Sequence, residues 1–235
     1  MENKSFSHLL FFHVAFGILC VLVFLAVPIT TFEKFLSLVV IYNFALVFFA
    51  RIKNDELVFR IWLFLFPLSI FQVLPDWFLS SVLKVLVFPK EGIMIGTVPL
   101  YMAGLWVIPL FLIVYPCMLL EKSKGLTFAT VFSFLGGIVI FGISEMFSVY
   151  LHSWHAQNVE TFFNMAYYVI LPEGLLGLSA FLGYRFFATA IFGVPILRAL
   201  GMNKTNRVFM RVLVAYVVSI IYLGNLAIFY LFIEG

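Results

Sequence analysis

The sequence predicts an all-α fold, a polytopic transmembrane bundle of seven helices with a short interfacial helix between the third and the fourth. Three observations lead there. Of the 235 residues, 64% are hydrophobic and only 11% charged. A soluble domain carries roughly 25% charged residues, so this chain cannot cover a water-facing surface. Seven apolar runs reach or approach the length of about 20 residues that a membrane helix needs. The basic residues then fall mainly on one side of the resulting topology. The loops are too short to hold a second domain, so residues 1–235 read as one integral membrane unit.

The elements follow in order. The first span, residues 6–27, stops at Pro28. Only Lys4 precedes it among basic residues and no small-x-small pair closes it, so it is expected to remain a membrane helix rather than a cleaved leader. The second, 35–50, ends at the polar run Arg51-Ile52-Lys53-Asn54-Asp55-Glu56. The third, 57–74, ends at Pro75-Asp76. In the stretch from Trp77 to Gly96, apolar residues recur at helical spacing around Lys84 until Pro89 and Gly92 interrupt them. That pattern predicts an interfacial helix or re-entrant piece with Trp77 and Lys84 at headgroup level. The fourth span, 97–120, contains Pro99, Pro109 and Pro116. Membrane helices tolerate proline when neighbours satisfy the freed carbonyls, and the resulting kinks open space between helices. The fifth, sixth and seventh spans are 126–151, 166–189 and 208–233. Cys20 and Cys117 both lie in apolar runs, which fits buried thiols better than a disulfide framework.

Orientation follows from the charges. Lys4, Arg51, Lys53, Arg60, Lys122, Lys124, Arg185, Arg198, Lys204, Arg207 and Arg211 fall on the side of the N-terminus, and only Lys34, Lys84 and Lys90 on the other. The bias predicts a multi-pass protein of the cytoplasmic (cell inner) membrane, with the N-terminus in the cytoplasm and the C-terminus outside. The net charge of +3 is spread over separate short loops, so no nucleic-acid partner is expected.

Polar residues inside such spans mark function, because a charge in the bilayer costs several kcal/mol unless it meets a partner or a wet cavity. Here they gather toward the outer half. Glu145 lies near the outer end of the fifth span, and Ser148, His152 and, if the helix continues, His155 would share its face. Glu173 lies about two turns into the sixth, since a turn takes about 3.6 residues. Gln72 and Asp76 end the third; Tyr101 and Trp106 open the fourth; Asn225 lies in the outer half of the seventh. The expectation is a polar cavity among the third to seventh helices that opens outward or sideways. The bland alternative is that Glu145 and Glu173 are hydrogen-bonded packing residues, His152 and His155 interfacial residues beside Trp154, and Tyr101 and Trp106 core aromatics. Gly174 and Gly177 are expected to allow close helix contact.

Three chemistries fit these residues. Glu145, His152 and His155, with Glu173, form a candidate zinc or iron site. His-x-x-His is a weak pattern, however, and four histidines in the chain are too few for a multi-histidine di-iron centre. A metal-free site is the second, in which Glu145 and Glu173 serve as acid and base, Tyr101 and Trp106 as the platform, and His152 and His155 as a proton relay. A carboxyl in an apolar pocket keeps its proton at neutral pH and can donate it to a double bond. Aromatic faces then stabilise the cation. Asp76, Gln72 and Asn225 complete the substrate surroundings. Transport, or an assembly role without chemistry, is the third, although no inverted repeat is visible. A retinal Schiff base is excluded, because the stretch from Val212 to Ile233 contains no lysine.

The helix-embedded Glu145 and the segment Leu171-Pro172-Glu173 carry a resemblance. With the seven-helix layout, they resemble the small integral-membrane lycopene cyclases and the related carotenoid hydratases. Those cyclases share a Pro-x-Glu-Glu type motif, where this chain has Pro172-Glu173-Gly174. The resemblance implies that Glu173, and with it Glu145, acts on an isoprenoid or carotenoid-like lipid. The segment from Gly96 to Trp106, GTVPLYMAGLW, looks like a signature of an uncharacterised bacterial membrane family. The resulting expectation is a lipid-binding, acid–base site with the bilayer as environment, a lipid-soluble small molecule as ligand and no resident cofactor.

Overall fold

The computed structural model describes residues 2–193 and 204–235, with side chains over 7–186 and 208–235. Helix α1 is Glu2–Ala26, α2 Thr31–Ile52 and α3 Glu56–Phe71. A short α4, Val73–Trp77, runs into a π-helical turn, Phe78–Val82. Strands β1 (Leu86–Val87), β2 (Met94–Ile95) and β3 (Val98–Pro99) follow, then α5 (Met102–Leu105), α6 (Val107–Lys124) and α7 (Leu126–Ser148). Strands β4 (His155–Ala156), β5 (Thr161–Phe162) and β6 (Met165–Ala166) precede α8, Tyr167–Gly193, and α9, Lys204–Ile233. Among the described residues, seven segments are long and apolar enough to cross a membrane. The expected all-α, seven-span bundle is therefore present, with minor strands.

Local chemistry sets the boundaries. Thr30 and Glu33 close a reciprocal cap on α2, the Glu33 amide donating to Thr30 Oγ1 at 3.2 Å and the Thr30 amide to Glu33 Oε2 at 2.9 Å. Asp55 caps α3 by accepting from the Leu57 and Val58 amides, each at 3.1 Å. Proline sets the breaks within spans. Pro75 has no amide hydrogen for the Phe71 carbonyl four residues back, and the helix breaks at Gln72. The Ser219 hydroxyl of α9 donates to that carbonyl instead, at 3.0 Å. Pro109 likewise releases the Leu105 carbonyl, and α5 passes into α6 at Trp106.

Helices α7 and α8 approach backbone to backbone. A Cβ on Gly137 would lie 2.5 Å from the Glu173 carbonyl oxygen, and one on Gly177 2.6 Å from that of Ser133. The close contact expected of Gly174 and Gly177 is realised, Gly174 packing under Phe134 and Ile138. Helix α9 lies along α8 and α3, while α6 sits between α3 and α7. α1 leans on α2 and keeps most of its apolar side chains exposed, as a lipid-facing helix does.

The stretch after Trp77 differs from expectation. It continues the third span to Val82 instead of forming a separate interfacial helix, and Lys84, at φ +56°, ends it. Gly92 and Gly96, at φ +65° and +62°, then turn the chain into the β2–β3 hairpin. β1 pairs antiparallel with β4, Val87 opposite His155, which ties this loop to the one between α7 and α8. The six strands among the described residues thus lie at the end of the bundle where the chain finishes, called below the strand face. Of the expected basic loop, Arg198 and the side chains of Lys204 and Arg207 lie outside the described residues, as do the side chains that close the expected sixth span.

Candidate functional site

A predominantly apolar cavity lies between α6 and α7 under the strand face. Its volume is about 390 Å³. Leu105, Ile108, Pro109 and Leu112 form one wall, Ile140, Ile143, Ser144 and Phe147 the other. Leu112, Ile143 and Phe147 are 38%, 51% and 57% exposed, so the cavity opens sideways, through the gap between the two helices, toward where lipid would lie. Two carboxyls interrupt its apolar lining, those of Asp76 and Glu145.

Each carboxyl is held by an indole. Trp106 Nε1 donates to Asp76 Oδ2 at 3.0 Å, with both residues buried. Trp154 Nε1 donates to Glu145 Oε1, also at 3.0 Å. The break that Pro109 produces at Trp106 turns this indole toward α4, and Phe141 and Tyr222 pack around it at centroid distances of 5.2 and 6.0 Å. Asp76 on α4 and Glu145 on α7 thus both face the cavity, while Glu173 is carried by α8.

The other expected residues take distinct places. Glu173 is 2% exposed and its Oε2 meets no partner among the described residues, but it does not line the cavity. Gln72 is fully buried, with neither amide atom partnered there; with Ser69 and Asp76 it forms a buried polar stripe along the end of the third span. Tyr101 stacks on Phe35 at 4.9 Å and donates to the Ser153 carbonyl at 3.4 Å. Only Phe35 of that pair reaches the cavity, and Asn225 is half-buried on α9 away from it.

The expected stack of Glu145 with His152 and His155 does not form, because α7 ends at Ser148. The Glu145 carbonyl accepts from the Ser148 hydroxyl at 2.8 Å and from the Asn164 side-chain amide at 2.9 Å, and the Ser153 amide bonds back to the Ser148 carbonyl at 3.0 Å. The chain reverses at His152, φ +51°, and His155 enters β4. Both imidazoles are exposed on the strand face. The candidate metal set of His152, His155 and Glu145 is therefore not assembled: among the described residues no three His, Cys, Asp or Glu side chains gather around a common point.

Sequence reasoning missed Trp154, Phe35, Ser144 and Tyr222. Trp154 and Tyr222 carried a usable signal. Trp154 stands next to the outer end of a carboxyl-bearing span, and Tyr222 precedes Asn225 by three residues on one helical face.

Comparison with known families adds one match. The model described as "Domain of unknown function (DUF6989)" covers residues 73–233, well over half of the chain, and takes in every cavity-lining residue except Phe35. No curated protein and no solved structure matches.

Proposed function

We propose, for a chain that belongs to the DUF6989 family, that the cavity between α6 and α7 binds a lipid-soluble molecule drawn sideways from the bilayer and that Asp76 and Glu145 exchange protons with it. One observation carries the reading: a laterally open apolar cavity contains two carboxyls, each fixed by an indole N–H. An apolar wall alone would hold a lipid tail. Two oriented carboxyls serve an acid and a base acting on a double bond or a polar carbon within an apolar body. The indole faces of Trp106 and Trp154 suit the cation that protonation of an alkene would produce. An isoprenoid-like substrate fits this chemistry.

Relative to the expectation from sequence, the acid–base pair is here Asp76 with Glu145. Glu173, on α8, lies outside the cavity and takes a supporting place. Trp106 remains the platform, with Trp154 in the place given to Tyr101.

The test is mass spectrometry of the organic extract from protein purified in mild detergent. The reading predicts a bound isoprenoid or other apolar molecule that disappears, or accumulates unconverted, in Asp76→Asn and Glu145→Gln. An extract identical in kind and amount for the wild type and both variants would refute it. Ion-driven flux into vesicles, abolished by the same variants, would favour transport instead.

A further inference from the structure

A second cavity, about 500 Å³, lies on the strand face directly beyond the first. Phe88 and Trp154 line both, so these two side chains are the partition between them. The residues peculiar to the second cavity come from β1, β4 and the loops at 87–89 and 149–164, outside every spanning segment. The first cavity therefore sits at the depth of lipid tails and the second at the depth of headgroups.

The second cavity also differs in chemistry. No Asp, Glu, Lys or Arg lines it; its titratable members are His152 and His155. The Asn164 side-chain amide donates to the Glu145 carbonyl and to Ser148 Oγ at 2.9 and 3.1 Å, and the Trp154 indole to Glu145. The two imidazoles make no such bond among the described residues. Their backbone is pinned, His152 by the chain reversal and His155 by its pairing with Val87. Two imidazoles lining one cavity, with no carboxylate in that lining, match the acid oxygens of an anion.

We infer that the ligand is an amphiphile with an acidic headgroup, phosphate ester or carboxylate, whose apolar body fills the lateral cavity while the headgroup meets His152 and His155. This inference rests on the lateral-cavity reading and narrows it, because a pure hydrocarbon would leave the second cavity unfilled. Trp154 stands where chain and headgroup join, and its indole position decides how Glu145 faces that junction.

Photolabelling of the full-length protein in lipid nanodiscs tests the inference. The probes are a single-chain phosphate monoester with a diazirine in its tail and the neutral alcohol of the same chain. The phosphate is expected to label the α6 and α7 walls, at Leu112 and Ile140, about tenfold more than the alcohol, equivalent to about 1.4 kcal/mol. In His152→Gln/His155→Gln the phosphate should fall to the level of the alcohol while labelling by the alcohol stays unchanged. Both residues are exposed, so the variant keeps its fold, and unchanged alcohol labelling checks this. Equal labelling by the two probes in the wild type, or a phosphate preference that survives in the double variant, would overturn the headgroup assignment and leave the cavity reading intact. Inorganic phosphate competing as well as the amphiphile would assign the histidines to a free anion and overturn the joined site. Absence of wall labelling by either probe would refute the cavity reading itself.

Discussion

Replacing Trp106 with phenylalanine removes one hydrogen bond from the site and leaves most ring contacts in place. Asp76 is 4% exposed and Trp106 8%, so water cannot take over the lost interaction. Orphaning a buried acceptor costs about 1–3 kcal/mol, with carboxyls toward the upper end. The smaller ring also forfeits contact with Phe141 and Tyr222, adding about 1 kcal/mol at about 25 cal/mol per Å². The expected total for Trp106→Phe is about 3 kcal/mol, the free cavity beside the ring keeping it from rising further. Asp76→Leu alone orphans the indole N–H and costs about 1–3 kcal/mol. The double variant leaves neither group orphaned, so its cost should fall short of the sum by about 1–2 kcal/mol. Unfolding in mixed micelles titrated with a denaturing detergent measures all three. Additivity within about 0.5 kcal/mol would show that the two groups do not interact and that packing alone places the indole.

Three further outcomes are expected. Gly177→Ala brings a Cβ to 2.6 Å from the Ser133 carbonyl, with backbone on both sides, so α7 and α8 must separate; a loss of about 1–3 kcal/mol is expected in the same unfolding assay. Ser219→Ala leaves the Phe71 carbonyl, which Pro75 cannot serve, without its donor at the break in the third span; about 1–2 kcal/mol should be lost, while Ser219→Thr retains most of the stability. Ile140→Trp fills the lateral cavity from its wall; it should abolish binding of apolar ligand without lowering the unfolding midpoint, read by ligand extraction and thermal unfolding side by side.

Much of the architecture is legible in the sequence because its cause is local. An apolar run of membrane length is a helix wherever it folds, since backbone groups in lipid must bond within the segment. The small residues Gly174 and Gly177 announce a close helix contact for the same reason. Asp76, Glu145 and Trp106 could be singled out because a buried carboxyl demands a partner. The partner itself was not legible: Trp106 meets Asp76 across thirty residues and Trp154 meets Glu145 across nine, around a reversal that depends on Asn164. The helical stack of Glu145 with His152 and His155 failed at that reversal, where side-chain amide and hydroxyl groups take the last carbonyls of α7. The segment after Trp77 misled in the opposite way. Its helical spacing holds only to Val82, and left-handed turns at Lys84, Gly92 and Gly96 convert the remainder to a local hairpin and to a strand, β1, that registers only against a distant loop.

Native mass spectrometry of the wild type and Ile140→Trp, released from mild detergent, tests the lateral site most directly. The account predicts one apolar molecule retained per wild-type chain and none on the variant, with both chains folded. Equal retention by the two proteins would place any bound lipid elsewhere on the bundle and contradict a site between α6 and α7.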